Sequence, residues 1–377
     1  MERKVYDSID ELGPELIARF EGSKLDFSYG ILRAVEKGLW GDLRVHYLTI
    51  EAAGAAQAFM PVYVGTNINI NALLPQSVQD VYFKLVGLVG RSVKTRFAIA
   101  GCLISDKGWI PMLPEAASAE LVEAMVSHID CFSQQQNVQV SLIKDIHCAF
   151  PDDYLGRIEH HGYERLFSLP TVIIETDYKS FDDYTLSLTK NARKHSRKVL
   201  KAAHERFEFE IIEDYADYIE QIYPLFRGTF LKAKYQFDEA VPRFFLECAR
   251  SREPQTELIL CRKNGLIVGA LINFFDDQEQ LNKRIGIDYN QEDTPLIYTS
   301  LMYEGIRSAI NKGLKRLYLG QSSYVPKLRL GGHIENEYFY VKAYDSLLKL
   351  TMPWQRRWSQ NYEAKRVETL ALEGVSI

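Results

Sequence analysis

Residues 322–332, SSYVPKLRLGG, hold two cations between an expected strand end and the glycine pair Gly331-Gly332. On such a loop the ammonium of Lys327 and the guanidinium of Arg329 can grip a phosphate or stabilise the oxyanion of an attacked carbonyl. Gly331 lets backbone approach a ligand closely. His333, directly after the pair, is placed to act as a base. The same run also fits a solvated loop with two surface charges. Tyr324, Tyr338 and Tyr340 either line a pocket beside it or pack as strand residues.

A second set of charges lies in residues 190–206, KNARKHSRKVLKAAHER. On a helix, Lys190, Lys194, Arg197 and Lys201 fall on one face, with Arg193 and Lys198 beside it. Ala192, Val199, Leu200 and Ala203 occupy the other side. A phosphate-bearing donor, an acyl-carrier protein or RNA would relieve the mutual repulsion of these charges, and a solvated helix face needs no partner at all.

The elements that position these groups recur in a fixed order. Strand-like runs at 44–51 and 56–64 flank the turn Ala52-Ala53-Gly54, which predicts a hairpin. A strand at 96–104, a helix at 116–134 and a strand at 138–143 follow. Later, runs at 257–262 and 266–275 flank Lys263-Asn264-Gly265. After them come a strand at 280–288, a helix at 295–311 opened by Pro295, and a strand at 316–319. Further helices are expected at 9–20, 29–36, 181–203, 217–230 and 240–250, and a strand at 169–175. Hairpin, strand, helix, strand thus appears twice, an internal duplication carried by pattern order and not by residue identity. At 377 residues two domains are expected, 1–176 and 177–377.

Composition narrows the function. A net charge of −5 argues against a surface built as a whole for nucleic acid or anionic membrane. Cys102, Cys131, Cys148, Cys248 and Cys261 form no CxxC pair and no zinc spacing, so no metal is expected and the thiols read as reduced. The start, MERKVYDSIDELGPEL, lacks a signal-peptide core, and no run reaches the ~20 apolar residues of a membrane span. The expected location is the cytoplasm. Without a nucleophile elbow, phosphate-binding loop or dinucleotide fingerprint, hydrolase, kinase and dehydrogenase readings have no support.

The second half carries, in order, SLTKNARKHSRKVLKA, FRGTFLKAKYQF, FFLECAR, LILCRKNGLIVGALI, GIDY, PLIYTSLMYEGIRSAINKGLKRLYLG and PKLRLGG. With FMPVY and VQVSLIKD in the first half, this set resembles the FemAB-like acyltransferases of the GNAT superfamily. The resemblance implies an α/β (α+β) fold of two tandem GNAT-type domains. Each is a mixed, mostly antiparallel sheet flanked by helices, with a degenerate first domain and a donor held by the second. Lys327 falls on the family's loop lysine and Gly331 on its glycine, while Pro326 and Leu330 replace phenylalanines. The common pyrophosphate signature of the GNAT superfamily is absent, since the loop before residue 295 reads YNQEDT.

The implied chemistry is N-acyl transfer by direct attack of an amine on a thioester, from acyl-CoA or acyl-carrier-protein phosphopantetheine, with no tightly bound cofactor. His333, Asp288 and Glu304 are the candidate bases, and Lys327 the oxyanion contact. Arg193, Arg197, Lys201, Arg329 and Gly331 are the donor-binding candidates. The alternatives are an aminoacyl-tRNA-dependent Fem-type transferase, with tRNA on the basic helix, or an inert GNAT-like module that binds a cell-envelope or carrier-protein ligand.

Overall fold

The computed structural model describes residues 1–20, 25–39, 41–66, 95–233, 239–251, 254–321, 323–346, 348–350, 352–353, 356–357 and 360–361. Ser322, in the cationic run, lies outside them. The chain divides into two compact units, Met1–Leu169 joined by the segment that starts at Asn336, and Pro170–Glu335.

In the first unit, β1 (Glu2–Tyr6), β2 (Arg44–Ala52), β3 (Ala55–Gly65), β4 (Phe97–Ala100), β5 (Val140–His147) and β6 (Glu164–Phe167) share a sheet with β14 (Glu337–Ala343). Its order is β1-β2-β3-β4-β5-β14-β6. Among the described residues the unit also holds helices α1 (Pro14–Ile17), α2 (Tyr29–Lys37), α3 (Ala119–Gln135) and α4 (Asp152–His160). The second unit holds β7 (Thr171–Glu175), α5 (Phe181–Ser187), α6 (Lys190–His204), β8 (Glu208–Ile212), α7 (Ile219–Lys232), α8 (Pro242–Arg250), β9 (Gln255–Lys263), β10 (Leu266–Phe275), β11 (Glu279–Ile287), α9 (Thr294–Asn311), β12 (Arg316–Gly320), α10 (Tyr324–Leu328) and β13 (His333–Glu335). Its sheet runs β8-β9-β10-β11-β12-β7-β13.

The two orders correspond position by position, and in each the central pair alone is parallel: β4 with β5, and β11 with β12. The expected duplication is therefore one of topology. Both hairpins close through two-residue turns of positive φ, Ala53 (51°) with Gly54 (78°) and Asn264 (52°) with Gly265 (79°), the geometry that matches strand twist. In both units a long amphipathic helix, α3 or α9, makes the crossover between the parallel strands. Ser118 caps α3 by accepting from the Leu121 N–H, and Pro295 opens α9.

Four expectations change. The strand expected at 96–104 ends at Ala100, because Gly101 turns at φ 116°. The helix expected at 181–203 is two, since Leu188 is extended and Thr189 starts α6 by capping the Ala192 N–H. Of the helix expected at 9–20, only short turns form. The cut at 176/177 also fails as a boundary. β7 follows the first unit in sequence but pairs with β12, and β14 follows the second unit but pairs with β5. Each sheet takes its sixth strand from the far side of that cut, which local patterning does not encode.

Candidate active site

Parallel strands β11 and β12 pair only over Glu279–Leu281 and Arg316–Tyr318. Beyond that, β11 runs on beside β10 to Ile287, and among the described residues no strand pairs with its other edge. A bulge at Lys283 sharpens the divergence: Ile272 faces Arg284, but Asn273 faces Asn282. The extra residue turns the strand over. Asn282 lies against Gly305 of α9, while Arg284, two residues on, sits 5.9 Å from the Phe244 ring of α8. At the end of this edge the Ile287 N–H is taken by Thr229 Oγ1 of α7, at 3.2 Å.

The C-terminal ends of β11 and β12 share one edge of the sheet, and the sequence candidates distribute about it unevenly. Lys327 is the nearest to expectation and also the largest correction. It is not on an exposed loop but on α10, 4% exposed, and its Nζ donates to the carbonyls of Gly320 (2.9 Å) and Gln321 (3.1 Å). Its charge therefore rests at the end of β12. Asp288 stands at the end of β11, where Gln291 and the Asn290 amide hold its carboxyl below the usual carboxylate range. A carboxylate so stabilised as the anion is a weak base.

The other candidates lie elsewhere. Glu304 is ten residues into α9, roughly 15 Å from its start at 1.5 Å per residue, and pairs with Arg307 at 3.2 Å. His333 is exposed on β13, beyond β7 from β12, with Glu335 at 3.7 Å. Arg193 donates to the Leu188 carbonyl at 3.0 Å, so it braces the α5–α6 connection. Leu188 in turn packs on Gly331 (φ 82°), so close that a Cβ there would meet its Cδ2 at 2.7 Å, and the Tyr184 hydroxyl donates to the Leu330 carbonyl. The structure thus brings Arg193 beside the 327–331 segment through Leu188. Arg197, Lys201 and Arg329 are exposed.

The first unit has the same parallel pair without the same opening. Beyond β4, residues 101–113 return into the sheet. Gly108 pairs with Ile146 and Met112 with Ala58. The Gly108 N–H donates to the Asp145 carbonyl, and Leu113 to Gln57 at 2.8 Å. Lys144, buried, reaches the Ser105 carbonyl and the Asp145 carboxylate. Burial works against its charge, and Asp145 more than offsets this, so its pKa is raised. In the second unit only residues 288–293 separate β11 from α9, and they turn directly into the helix. Among the described residues, no such segment returns between β11 and β12.

The family model for FemAB-like proteins, described as peptidoglycan biosynthesis/recognition, matches residues 104–325, more than half of the chain. The chain belongs to the FemAB-like family. Solved structures share its fold. FemX aligns with TM-score 0.60 at 10% identity, covering 94% of this chain and 100% of that one. The C-terminal domain of a putative lysylphosphatidylglycerol synthetase from Agrobacterium fabrum gives 0.54 at 13%, covering 91% and 95%. A tandem GNAT protein from the clavulanic acid biosynthesis pathway gives 0.51 at 8%, covering 91% and 98%. Among curated proteins, a putative 8-amino-7-oxononanoate synthase 2 of Mycobacterium tuberculosis (strain ATCC 25618 / H37Rv) is 21% identical over 243 residues, 63% of this chain and 31% of that protein. The chain spans about a third of that relative's length. The two units thus share the fold of that tandem GNAT protein.

The acidic loop before α9 is legible in the sequence, but the ion pairs at the helix start are not. Asp293, its N-cap residue, binds Lys263 of β9 at 2.8 Å and Arg206, just past α6. An Asp ahead of Thr-Pro is a legible helix start. Its partners, 30 and 87 residues away, are not legible. Thr229 gave no signal either.

Proposed function

We propose that this FemAB-like protein transfers an acyl or aminoacyl group from a thioester or ester donor to a primary amine, at the opening between β11 and β12. The observation that carries this reading is the early end of the β11–β12 pairing, set against the filled gap of the first unit. An extended donor arm can lie along the edge of β11 that no described strand pairs beyond Leu281, with its carbonyl toward the end of β12. There backbone N–H groups and the Lys327 ammonium favour the negative oxygen that develops as the amine attacks. Direct attack needs no enzyme nucleophile. Buried Cys261 fits this, since burial, with Glu304 adding, pushes its thiol up to about 12, where the reactive thiolate is scarce.

For the acceptor, the Mycobacterium tuberculosis relative is suggestive. It is named for making an 8-amino-7-oxo acid, in which a primary amine sits beside a ketone, and over two thirds of its length lies outside the matched stretch. A chain that acylates such an amine would act on the product of that class of reaction, and this supports α-amino ketones as acceptors beside the stem-peptide amines that the family description suggests. That none of the five cysteines forms a disulfide supports a cytoplasmic location.

The test is amide formation, followed by mass spectrometry, with acyl thioesters and aminoacyl esters crossed against an α-amino ketone and a lysine-containing stem peptide. Amide in any pairing above the protein-free rate supports transfer, and the productive amine names the acceptor class. No amide in any pairing overturns the reading.

A further inference from the structure

The start of α9 follows the open edge of β11, so a donor lying in the opening extends past it. A helix N-terminus normally welcomes phosphate through free N–H groups and a positive dipole end. Here that capacity is reduced. Pro295 brings no N–H, and the N–H groups of Leu296 and Ile297 both donate to the Asp293 carbonyl, at 2.8 and 2.9 Å. The Asp293 carboxylate occupies Lys263 and Arg206, the two cations closest to the helix start in these contacts. Asp288 and exposed Glu292 add negative charge on the same short loop.

Resting on the transfer reading above, we propose that Asp293 is a specificity-determining residue: a built-in anion that rejects donors carrying a diphosphate, such as acyl-CoA, and admits an acyl group on an arm without one. A diphosphate approaching α9 meets a carboxylate where it would need a cation, and displacing that carboxylate leaves it without Arg206 and Lys263. Like charges at this separation oppose binding. The arm itself, held along β11, is unaffected.

Equilibrium titration with coenzyme A and with pantetheine, which has the same arm without diphosphate and nucleoside, tests this without any transfer reaction. The wild-type protein should bind pantetheine at least as tightly as coenzyme A. Asp293→Asn and Asp293→Ser both keep a good helix cap, and each should move the ratio toward coenzyme A by about tenfold or more, 1.4 kcal/mol. Adding Arg206→Gln to Asp293→Asn should reverse most of that gain. Wild-type preference for coenzyme A of tenfold or more overturns the proposal. So does an unchanged ratio in both variants, or no binding of either probe to any of the proteins. Failure of acyl transfer itself would be read only in the amide assay, so the two ideas fail separately.

Discussion

Lys327 Nζ donates to the carbonyl of Gly320, the last residue of β12, at 2.9 Å. One side chain thereby ties a short helix to the strand end that forms one wall of the opening. The Gln321 carbonyl is its second acceptor, so the ammonium both fixes the backbone there and sets a positive charge beside it. The transfer proposal places its oxyanion contact on this same structural residue.

Lys327→Met should therefore damage stability as well as transfer. Leaving buried carbonyls without their donor costs about 1–3 kcal/mol, a melting midpoint lower by roughly 3–10 °C for a unit of this size. Lys327→Arg should recover much of the midpoint and less of the transfer rate, because a guanidinium cannot copy the ammonium's contacts. A Met variant that melts like wild type would contradict the buried placement.

Gly108→Ala tests the filled gap of the first unit. A Cβ there would stand 2.2 Å from the Lys144 carbonyl oxygen and 2.8 Å from that of Asp145, both backbone atoms that have no rotamer to escape into. Urea denaturation should show a loss of at least about 3 kcal/mol. A loss under about 1 kcal/mol would mean that residues 101–113 do not pack between the strands as described.

His128, buried on α3, has Nε2 3.0 Å from the Lys4 carbonyl. Burial holds its pKa below the ordinary 6.5. Its contribution is thus complete above pH 6.5 and is lost as pH falls through the lower folded value, because the unfolded chain binds the proton first. Wild-type stability should decline between pH 7 and 5 with a component that His128→Gln removes. Parallel curves for the two proteins would rule this out.

The cationic face of α6 divides into two parts. Lys194, Arg197 and Lys201 are exposed, whereas Arg193 is half-buried and holds the Leu188 carbonyl. Replacing the first three by Gln should shift the melting midpoint by under about 1 °C, since exposed charges contribute little. If a polyanionic donor docks there, the same triple variant should weaken donor saturation several-fold at low salt and flatten its salt dependence. Unchanged salt dependence would leave α6 a solvated face. Arg193→Gln should instead cost about 1 kcal/mol of stability.

Local chemistry made a large part of this protein legible in its sequence. Asn264-Gly265, and Gly54 after Ala53, announce two hairpins because positive φ suits few residues, although Ala53 itself is not one of them. The apolar spacing of 116–134 and 295–311 announces the two crossover helices, and the order of these elements announces the duplication and the family. What the sequence left open depends on partners far along the chain. Strand β7 is a short apolar run that would suit either sheet, and only packing assigns it to β12 and β14 to β5. Lys327 reads as an exposed loop cation until α10 folds it onto the end of β12. Asp293 reads as a helix start, and becomes an anion held by two cations only when residues 206 and 263 are brought to it. Charge, turn and periodicity are properties of neighbours in sequence. Burial and pairing are properties of neighbours in space, so tertiary structure decided which candidate side chains stand at the opening.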